Sequence, residues 1–217
     1  NQLGRSILTR GRFSNKSNDK VNFKKRVNKK LFFPNIFPSW FMNSLLIKVL
    51  NNLYFYLSNL QKININIDNF FYPLDKISNW NVAYGTKGFI SYQCLIPYKN
   101  SYKIINKILT EIKDNKIYSF VSVLKSMGKK DGYLSFGGPG YTLVFDFPMY
   151  KNINNILNKI DETVLNCGGK VYLTKDSRIS KNNFKKINKE FNSTDFKNFR
   201  KKSNFFFESL QSKRLNI

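Results

Sequence analysis

Apolar and polar residues follow a regular pattern from residue 89 to residue 174. Strict alternation predicts strands, and apolar residues recurring every three or four positions predict helices. In chain order the pattern gives strand, helix, strand, strand, helix and strand, at 89–97, 102–112, 117–125, 141–147, 153–165 and 170–174. An extra short strand is expected at 133–136. This order predicts an α+β fold of the split βαβ, or ferredoxin-like, kind, an antiparallel sheet with helices on one face.

The pattern before residue 89 predicts fewer elements. Leu45, Val49 and Leu53 are spaced as on one face of a helix, for which Ser39 is a candidate cap, and we expect this face to pack on the core. Alternation over 63–71 predicts a half-buried strand. The loop 78–85 carries Trp80 and a tyrosine, aromatic residues that either anchor a loop or line a ligand pocket.

Two basic segments flank this region. Residues 1–30 are rich in Lys and Arg without apolar periodicity, which predicts a basic arm. After Arg178 the chain is again basic, and aromatic residues recur at near-helical spacing as far as Leu210. Because a ferredoxin-like sheet ends with its last strand, we expect this helical tail to pack on another domain.

The sequence has 37 Lys and Arg residues against 13 Asp and Glu residues, a net charge of +24. Such an excess is typical of proteins that bind nucleic acid, a phosphorylated ligand or an anionic membrane surface. Lys is abundant together with Asn, Ile, Phe and Tyr, as biased codon usage would also produce. Charge alone therefore does not select a partner.

Several kinds of chemistry are excluded by composition. The chain has no histidine, which rules out Ser-His-Asp triads and histidine-containing metal sites within it. Cys94 and Cys167 lack metal-ligand or redox-motif spacing, so we interpret them as reduced thiols of an intracellular protein. The apolar run 37–60 is interrupted by Asn43 and Lys48 and predicts a buried or interfacial helix rather than a membrane span. The first residue is Asn1, from which we expect a fragment or processed product.

The last predicted strand leads into a loop that can carry chemistry. Gly168 and Gly169 precede the strand, and Lys175 and Asp176 follow it, where binding and catalytic groups tend to lie. A lysine next to an aspartate is also common in solvated turns, where the two charges pair and do nothing else. The loop pattern alone leaves both interpretations open.

RNA binding is one function class that fits a basic ferredoxin-like module. RNA-recognition domains stack bases on aromatic residues of their central strands, next to a basic residue and a glycine. Here the third strand has Gly140 and aromatic residues, but it lacks the basic residue and carries Asp146, which repels phosphate. RNA binding is therefore disfavoured and kept as an alternative from another class.

The second class is a flavoenzyme, and several short motifs carry the resemblance. In chain order they are 3–5 (LGR), 71–75 (FYPLD), 80–85 (WNVAYG), 88–93 (GFISYQ), 118–120 (YSF), 146–148 (DFP) and 168–178 (GGKVYLTKDSR). Together they resemble the C-terminal half of the flavoprotein subunit of decaprenylphosphoryl-β-D-ribose 2′-epimerase, an FAD-linked oxidase of the vanillyl-alcohol oxidase superfamily. The resemblance covers nearly the whole chain and is strongest from 70 to 178.

The resemblance implies an oxidase that moves a hydride from a hydroxyl-bearing carbon of a polyprenyl-phosphoryl pentose to flavin N5. A partner reductase, an NAD(P)H-dependent short-chain enzyme, would return hydride from the other face. A fixed cation near the flavin stabilises the negative charge of its reduced form. The implied location is cytoplasmic, with contact to an anionic surface at the inner face of the membrane.

The resemblance also implies site residues. Lys175 matches the family lysine that reaches the flavin and the substrate, and Tyr172 lines the same wall. Gln93 and Lys125 match further pocket residues, and an amide and an ammonium suit a sugar phosphate. Trp80 is an aromatic residue that could face a sugar ring or a prenyl chain. Within this chain the group that takes the hydroxyl proton stays open among Lys175, Lys125 and Tyr172, and a residue of the expected N-terminal region is a further alternative.

Four positions depart from the family pattern. Phe71 stands where the family has tyrosine, and Thr142 stands where it has asparagine, both as substrate-binding positions. Ser91 replaces a glutamine, and Val144 occupies a position where members can carry a cysteine. These changes bear on the substrate rather than on the chemistry. A sugar-lactone oxidase of the D-arabinono-1,4-lactone type, or an alditol oxidase, is the nearest alternative.

The FAD cofactor sets the expected domain organisation. In the family the FAD pyrophosphate is held by an N-terminal domain, and no glycine-rich phosphate-binding segment of that kind occurs in this chain. We therefore expect residues 1–170 to form the substrate-binding domain and 171–217 to return to the FAD-binding domain. By the same resemblance, an N-terminal FAD-binding region is an expected partner.

Overall fold

The computed structural model describes residues 5–13, 31–32, 43–58, 65–129, 135–187, 193–204 and 207–217. The chain divides into two units, Arg5–Gly88 and Phe89–Ile217. This boundary is defined by contacts within the fold. The expected boundary at residue 170 separates substrate binding from FAD binding, and it stays a prediction.

The unit Arg5–Gly88 contains short elements. Its described elements are β1 (Leu31–Phe32), α1 (Ser44–Leu57), α2 (Ile67–Phe71), β2 (Ile77–Ser78) and 3-10 helices at Pro73–Lys76 and Trp80–Tyr84. The two short strands pair in parallel, with Leu31 opposite Ile77. Neither strand was predicted, because two residues are too few to show alternation.

Helix α1 differs from its prediction at its start and in its orientation. It begins at Ser44, because the Asn43 side chain accepts a hydrogen bond from the Leu46 N–H at 2.9 Å. Ser39, the expected cap, lies outside the described residues. The predicted core face was wrong, since Leu45 and Val49 are 70% and 45% exposed.

The strand predicted at 63–71 is also wrong where the structure describes it. Ile67–Phe71 is a helical turn that follows Asn66, with Asp68 in its first turn, and it contains no buried residue. An acid in the first turn favours the helix, because it interacts with the positive end of the helix dipole, whereas the Asn66 side chain makes no capping bond. Three alternating residues were too few to decide against it, and residues 63–64 lie outside the described ranges.

The unit Phe89–Ile217 is built on a four-stranded sheet. Its first elements are β3 (Phe89–Pro97), α3 (Ser101–Asp114), β4 (Val121–Met127), β5 (Gly140–Pro148), α4 (Ile153–Asn166) and β6 (Lys170–Val171). The strand order is β4-β5-β3-β6, and each neighbouring pair is antiparallel. The predicted α+β class and ferredoxin-like order are confirmed.

The hydrophobic core lies between the sheet and the two helices. From β3 it takes Ile90, Tyr92, Cys94 and Ile96, which alternate along the strand. Both helices are amphipathic and contribute residues such as Ile108 and Leu157, which are 1% and 0% exposed. Each such side chain contributes about 1.5–3 kcal/mol through its burial. The two helices therefore cover one face of the sheet and do not cover the other.

Some predicted boundaries were wrong. The second strand was expected at 117–125 and spans Val121–Met127, since Ile117 instead bonds back to the end of α3 through its N–H and the Ile112 carbonyl at 3.2 Å. The last strand was expected at 170–174 but ends at Val171. Residues 135–136 of the expected extra strand are not in a strand, and 133–134 lie outside the described ranges.

Three helices follow the sheet, namely α5 (Lys181–Ile187), α6 (Ser193–Lys202) and α7 (Leu210–Leu215). Phe184 of α5 and Leu215 of α7 are 3% and 1% exposed and belong to the core of this unit. The tail thus packs partly on the ferredoxin-like sheet, and its expected contact with a further domain stays a prediction. Over the described ranges, no helix combines the length and apolar character needed to cross a membrane.

Candidate functional site

A small groove lies along β3 at the point where β6 leaves it. Ser91, Gln93, Tyr172 and Lys175 are among the residues that line it. The Tyr172 N–H donates to the Gln93 carbonyl at 2.8 Å, and the chain then turns away from the sheet. The enclosed volume is about 10 Å³, enough for one water molecule. This groove by itself therefore cannot enclose a sugar.

The sequence pattern predicted Lys175 at the end of a strand, but the structure places it in the turn that follows the strand. Residues Leu173–Lys175 form a 3-10 helix, in which the Lys175 N–H donates to the Tyr172 carbonyl at 3.1 Å. The side chain is half-buried. Among the described residues it forms no ion pair or side-chain hydrogen bond. A cation that is partly removed from water without a partner is available to an anionic ligand.

Asp176 does not neutralise Lys175, although it is adjacent in sequence. Its carboxylate accepts from the Arg214 guanidinium at 2.9 Å and from the backbone N–H groups of Arg178 and Ile179 at 3.1 and 2.9 Å. Only 2% of the Asp176 side chain is exposed. The interpretation of Lys175 and Asp176 as a paired, solvated turn was therefore wrong.

Three further candidates share the face of the sheet opposite the helices. Gln93 alternates with the core residues of β3, and Lys125 lies directly across from Thr142 between β4 and β5. The Gln93 amide donates to the Thr142 hydroxyl at 3.1 Å. Thr142 is 0% exposed and Lys125 is exposed on the outer strand, and the expected substrate-binding roles of all three residues stay predictions.

The same face carries an acid that was not predicted as a site residue. Asp146 lies opposite Ser91, is 6% exposed and accepts a hydrogen bond from the Ser91 hydroxyl. Ser119 fixes the backbone beside it, with its hydroxyl accepting from the Asp146 N–H at 2.9 Å. The available signal was the alternation of β5, which places Asp146 on the face of Thr142 and Val144.

Phe71 and Trp80 belong to the unit Arg5–Gly88, whereas the other five candidates belong to Phe89–Ile217. Phe71 is 58% exposed and packs edge-on against Phe70, with ring centroids 5.1 Å apart. Trp80 is half-buried and packs edge-on against Tyr84, which is 1% exposed. Tyr84 is therefore the anchor of its loop, and Trp80 rests on that anchor.

A buried polar network around Arg178 fixes the end of the turn that contains Lys175. Arg178 pairs with Asp161 of α4 at 2.6 Å, and the Tyr92 hydroxyl donates to the same carboxylate at 2.9 Å. Burial raises the pKa of the Asp161 carboxyl, while the charge of Arg178 acts in the opposite direction. Burial also raises the pKa of Tyr92 well above its ordinary value, which keeps the phenol a donor.

Comparison with known proteins finds a similarity to an oxidase. No protein-family model matches the chain. Over 192 residues the chain is 30% identical to the decaprenylphosphoryl-beta-D-ribose oxidase of Mycolicibacterium smegmatis. The chain is similar to an oxidase. The aligned part is 84% of this chain and 41% of the relative, so the chain spans about two fifths of that protein. This similarity supports a related oxidase family.

The residues of the groove fit part of a flavin site. A half-buried ammonium without a partner in the described part of the chain suits the negative charge that reduced flavin carries near its N1 and C2 carbonyl. The groove has room for the edge of a ligand only, and the pyrophosphate of FAD would need other donors. Over the same ranges, no cluster of three Cys, Asp or Glu residues could hold a metal ion.

Proposed function

We propose that this chain is the substrate-binding part of an FAD-dependent oxidoreductase that oxidises a hydroxyl of a polyprenyl-phosphoryl pentose. The observation that supports it most is the half-buried Lys175, which has no partner among the described residues and shares a groove with Gln93 and Tyr172. When bound, FAD supplies the acceptor for the hydride. The similarity to a decaprenylphosphoryl-beta-D-ribose oxidase indicates the class of substrate.

Lys175 acts through its charge. With FAD bound, its ammonium would lie against the edge of the cofactor that carries negative charge in the reduced form, and a half-buried site would strengthen this interaction relative to water. Tyr172 holds the wall next to it through its backbone bond to Gln93. A donor of this kind contributes roughly 100- to 1,000-fold to a rate.

Gln93 and Lys125 bind the sugar and its phosphate. The Thr142 hydroxyl fixes one N–H of the Gln93 amide and leaves the amide oxygen and the second N–H for sugar hydroxyls. Lys125, exposed on β4, provides a charge for the phosphate. For Phe71 and Trp80, which lie in the unit Arg5–Gly88, a contact with the sugar ring or the prenyl chain rests on the resemblance alone.

Within this chain, Asp146 is a fourth candidate for the group that accepts the hydroxyl proton. A lysine ammonium offers three donors and no acceptor, whereas an ionised carboxylate only accepts. Asp146 lies on the same sheet face as Gln93 and is joined to the groove through Ser91. It therefore stands beside Lys175, Lys125 and Tyr172 as a candidate base.

The proposed whole enzyme includes further parts. An N-terminal FAD-binding region holds the pyrophosphate, and residues 171–217 help to complete that domain. A partner reductase that uses NAD(P)H returns hydride to the keto product, so that the two together form a 2′-epimerase. The excess of cations suits peripheral contact with an anionic membrane at its cytoplasmic face.

The test uses the full-length protein that contains this chain. The flavin content is measured first, and anaerobic bleaching of the flavin is then followed with a short-chain polyprenyl-phosphoryl ribose, with D-arabinono-1,4-lactone and with an alditol. We expect bleaching with the polyprenyl substrate and a 100- to 1,000-fold slower rate in Lys175→Met. Lys181→Met, an exposed lysine of α5, is the matched control and keeps the wild-type rate.

Three results would count against the proposal or a part of it. Bleaching by the lactone or the alditol alone would indicate the corresponding oxidase instead. A protein without flavin that binds RNA tightly would place it in the other function class. A normal bleaching rate in Lys175→Met would remove the proposed role of this lysine.

A further inference from the structure

We propose that Arg214 is a positioning residue for Lys175, because it binds Asp176 and thereby keeps the neighbouring ammonium unpaired in the groove. The inference deepens the proposed function and rests on the role of Lys175 in it. The assignment of Arg214 depends on contacts of the turn itself, which can be tested without any substrate.

The first step is the set of contacts that hold the turn. Arg214 Nη2 lies 2.9 Å from Asp176 Oδ2, and Arg214 Nη1 donates to the Ile179 carbonyl. Gln211 Nε2 donates to the carbonyls of Leu173 and Asp176 at 2.6 and 3.1 Å. Two side chains of α7 thus hold the turn on both sides of Lys175.

The second step is the anchorage of α7 itself. Leu215 is 1% exposed and belongs to the hydrophobic core, so the helix is fixed to the body of the unit. Its start is closed by a reciprocal pair in which Ser209 and Ser212 each accept from the backbone N–H of the other. An anchored helix can hold the turn in one position.

The third step is the charge balance. Asp176 follows Lys175 in the chain and lines the same groove, so an uncompensated carboxylate there would attract the ammonium. Arg214 and two backbone N–H groups occupy the Asp176 carboxylate instead. The pairing of Arg214 with Asp176 therefore leaves one positive charge, that of Lys175, available in the groove.

The test measures Lys175 directly. The full-length protein is treated with a limiting amount of an amine-acylating reagent, and the acylation rates of Lys175 and Lys125 are followed in the same sample by peptide mass spectrometry. In Arg214→Gln the freed Asp176 carboxylate pairs with the Lys175 ammonium and shields it from the reagent, so we expect Lys175 to react about tenfold more slowly. The rate at Lys125 does not change.

Second-site variants separate this effect from a general loss of structure. Asp176→Asn keeps an oxygen for the two backbone N–H groups and removes the charge, so it restores the Lys175 rate in the Arg214→Gln protein. Arg214→Lys keeps the charge and gives a smaller effect. Lys213→Gln, on the same helix as Arg214, removes the exposed pair with Glu208 and leaves Lys175 unchanged.

Flavin reduction gives the second readout. We expect Arg214→Gln to lower the maximal rate by roughly 100-fold, as small misplacements in an active site do. The same change made in Lys175→Met has no further effect, because Arg214 acts through Lys175. Equal losses in both backgrounds, or an Asp176→Asn variant that fails to restore acylation, would reduce Arg214 to a structural residue.

The two proposals fail in different ways. If acylation changes as expected but no sugar substrate reduces a flavin in the wild-type protein, the proposed function is wrong and the positioning of Lys175 by Arg214 stands. If acylation of Lys175 is the same in Arg214→Gln and wild type, the positioning role is wrong whatever the enzyme oxidises.

Discussion

Replacement of Arg178 by methionine should remove the charge that compensates a buried acid. Arg178 bonds to Asp161 at 2.6 Å and also to the side chain of Asn158 and the carbonyl of Leu157. The side chains of Arg178 and Asp161 are 12% and 1% exposed, so solvent screens this pair little. Methionine keeps much of the length of arginine and leaves the Asp161 carboxylate with Tyr92 as its described partner.

The expected loss follows from this burial. Removing one member of a buried ion pair typically costs about 3–5 kcal/mol, because the remaining charge has neither water nor a counter-ion. We expect the free energy of unfolding of Arg178→Met to fall by about this amount at pH 8. The exposed pair of Lys159 and Glu111, 3.4 Å apart, is the matched comparison, and Lys159→Gln should cost less than about 1 kcal/mol.

The loss should depend on pH with a definite sign. Burial raises the folded-state pKa of Asp161 above its ordinary value of 3.8, and Arg178 opposes that rise. Without Arg178 the folded-state pKa rises further, so the protonated acid is favoured in the folded protein. The stability contributed by protonation is present below the ordinary pKa and is lost as pH rises through the folded-state pKa. The defect of Arg178→Met should therefore shrink as the pH falls towards 4.

The assay is urea unfolding, followed by circular dichroism between pH 4 and pH 8. The dependence of the unfolding free energy on urea concentration is fitted separately for each variant and pH. Arg178→Met combined with Asp161→Asn should recover most of the loss at pH 8, because the uncompensated charge is gone. A deficit of equal size at both ends of the pH range would refute the electrostatic explanation. So would a double variant no more stable than Arg178→Met.

Two further outcomes follow from packing. A Cβ at Gly169 would lie 2.4 and 2.9 Å from two backbone carbonyl oxygens, so Gly169→Ala should lower the unfolding free energy by about 1–3 kcal/mol. A Cβ at Gly128 would meet open space, so Gly128→Ala should cost less than about 1 kcal/mol in the same urea titration. Burial raises the pKa of the thiols of Cys94 and Cys167, and Cys94 is fully buried. The native protein should therefore react with an aromatic disulfide only at Cys167, and rapid labelling of Cys94 would contradict the described core.

The sheet and its faces were predictable because strand periodicity is strict. Gln93 lies between the buried residues Tyr92 and Cys94, so once β3 is a strand its side chain must point to the other face. The same rule places Lys125 across from Thr142. A candidate site on one sheet face could thus be assembled from sequence, although the hydrogen bond between Gln93 and Thr142 required the structure.

Helical periodicity was less informative, because a helix can present an apolar stripe to something other than its own core. In α1 the buried residue is Ile47, at 0% exposed, while the stripe of Leu45, Val49 and Leu53 is exposed. The helix is apolar on most of its circumference, so spacing alone could not identify its buried side. The short α2 carries Asp68 in its first turn, and this charge favours a helix start in a way that a count of alternating residues omits.

The turn of Lys175 shows why charge pairing was the least predictable part of the site. Adjacency favours a pair between Lys175 and Asp176, but Asp176 instead pairs with Arg214, 38 residues further along the chain. The fold places α7 against the turn by burying Leu215, and a guanidinium can then satisfy the carboxylate and a nearby carbonyl together. An ammonium next to the carboxylate in sequence cannot compete with that geometry. The availability of Lys175 is therefore a property of the tertiary structure, and a change in α7 should alter it without touching the groove.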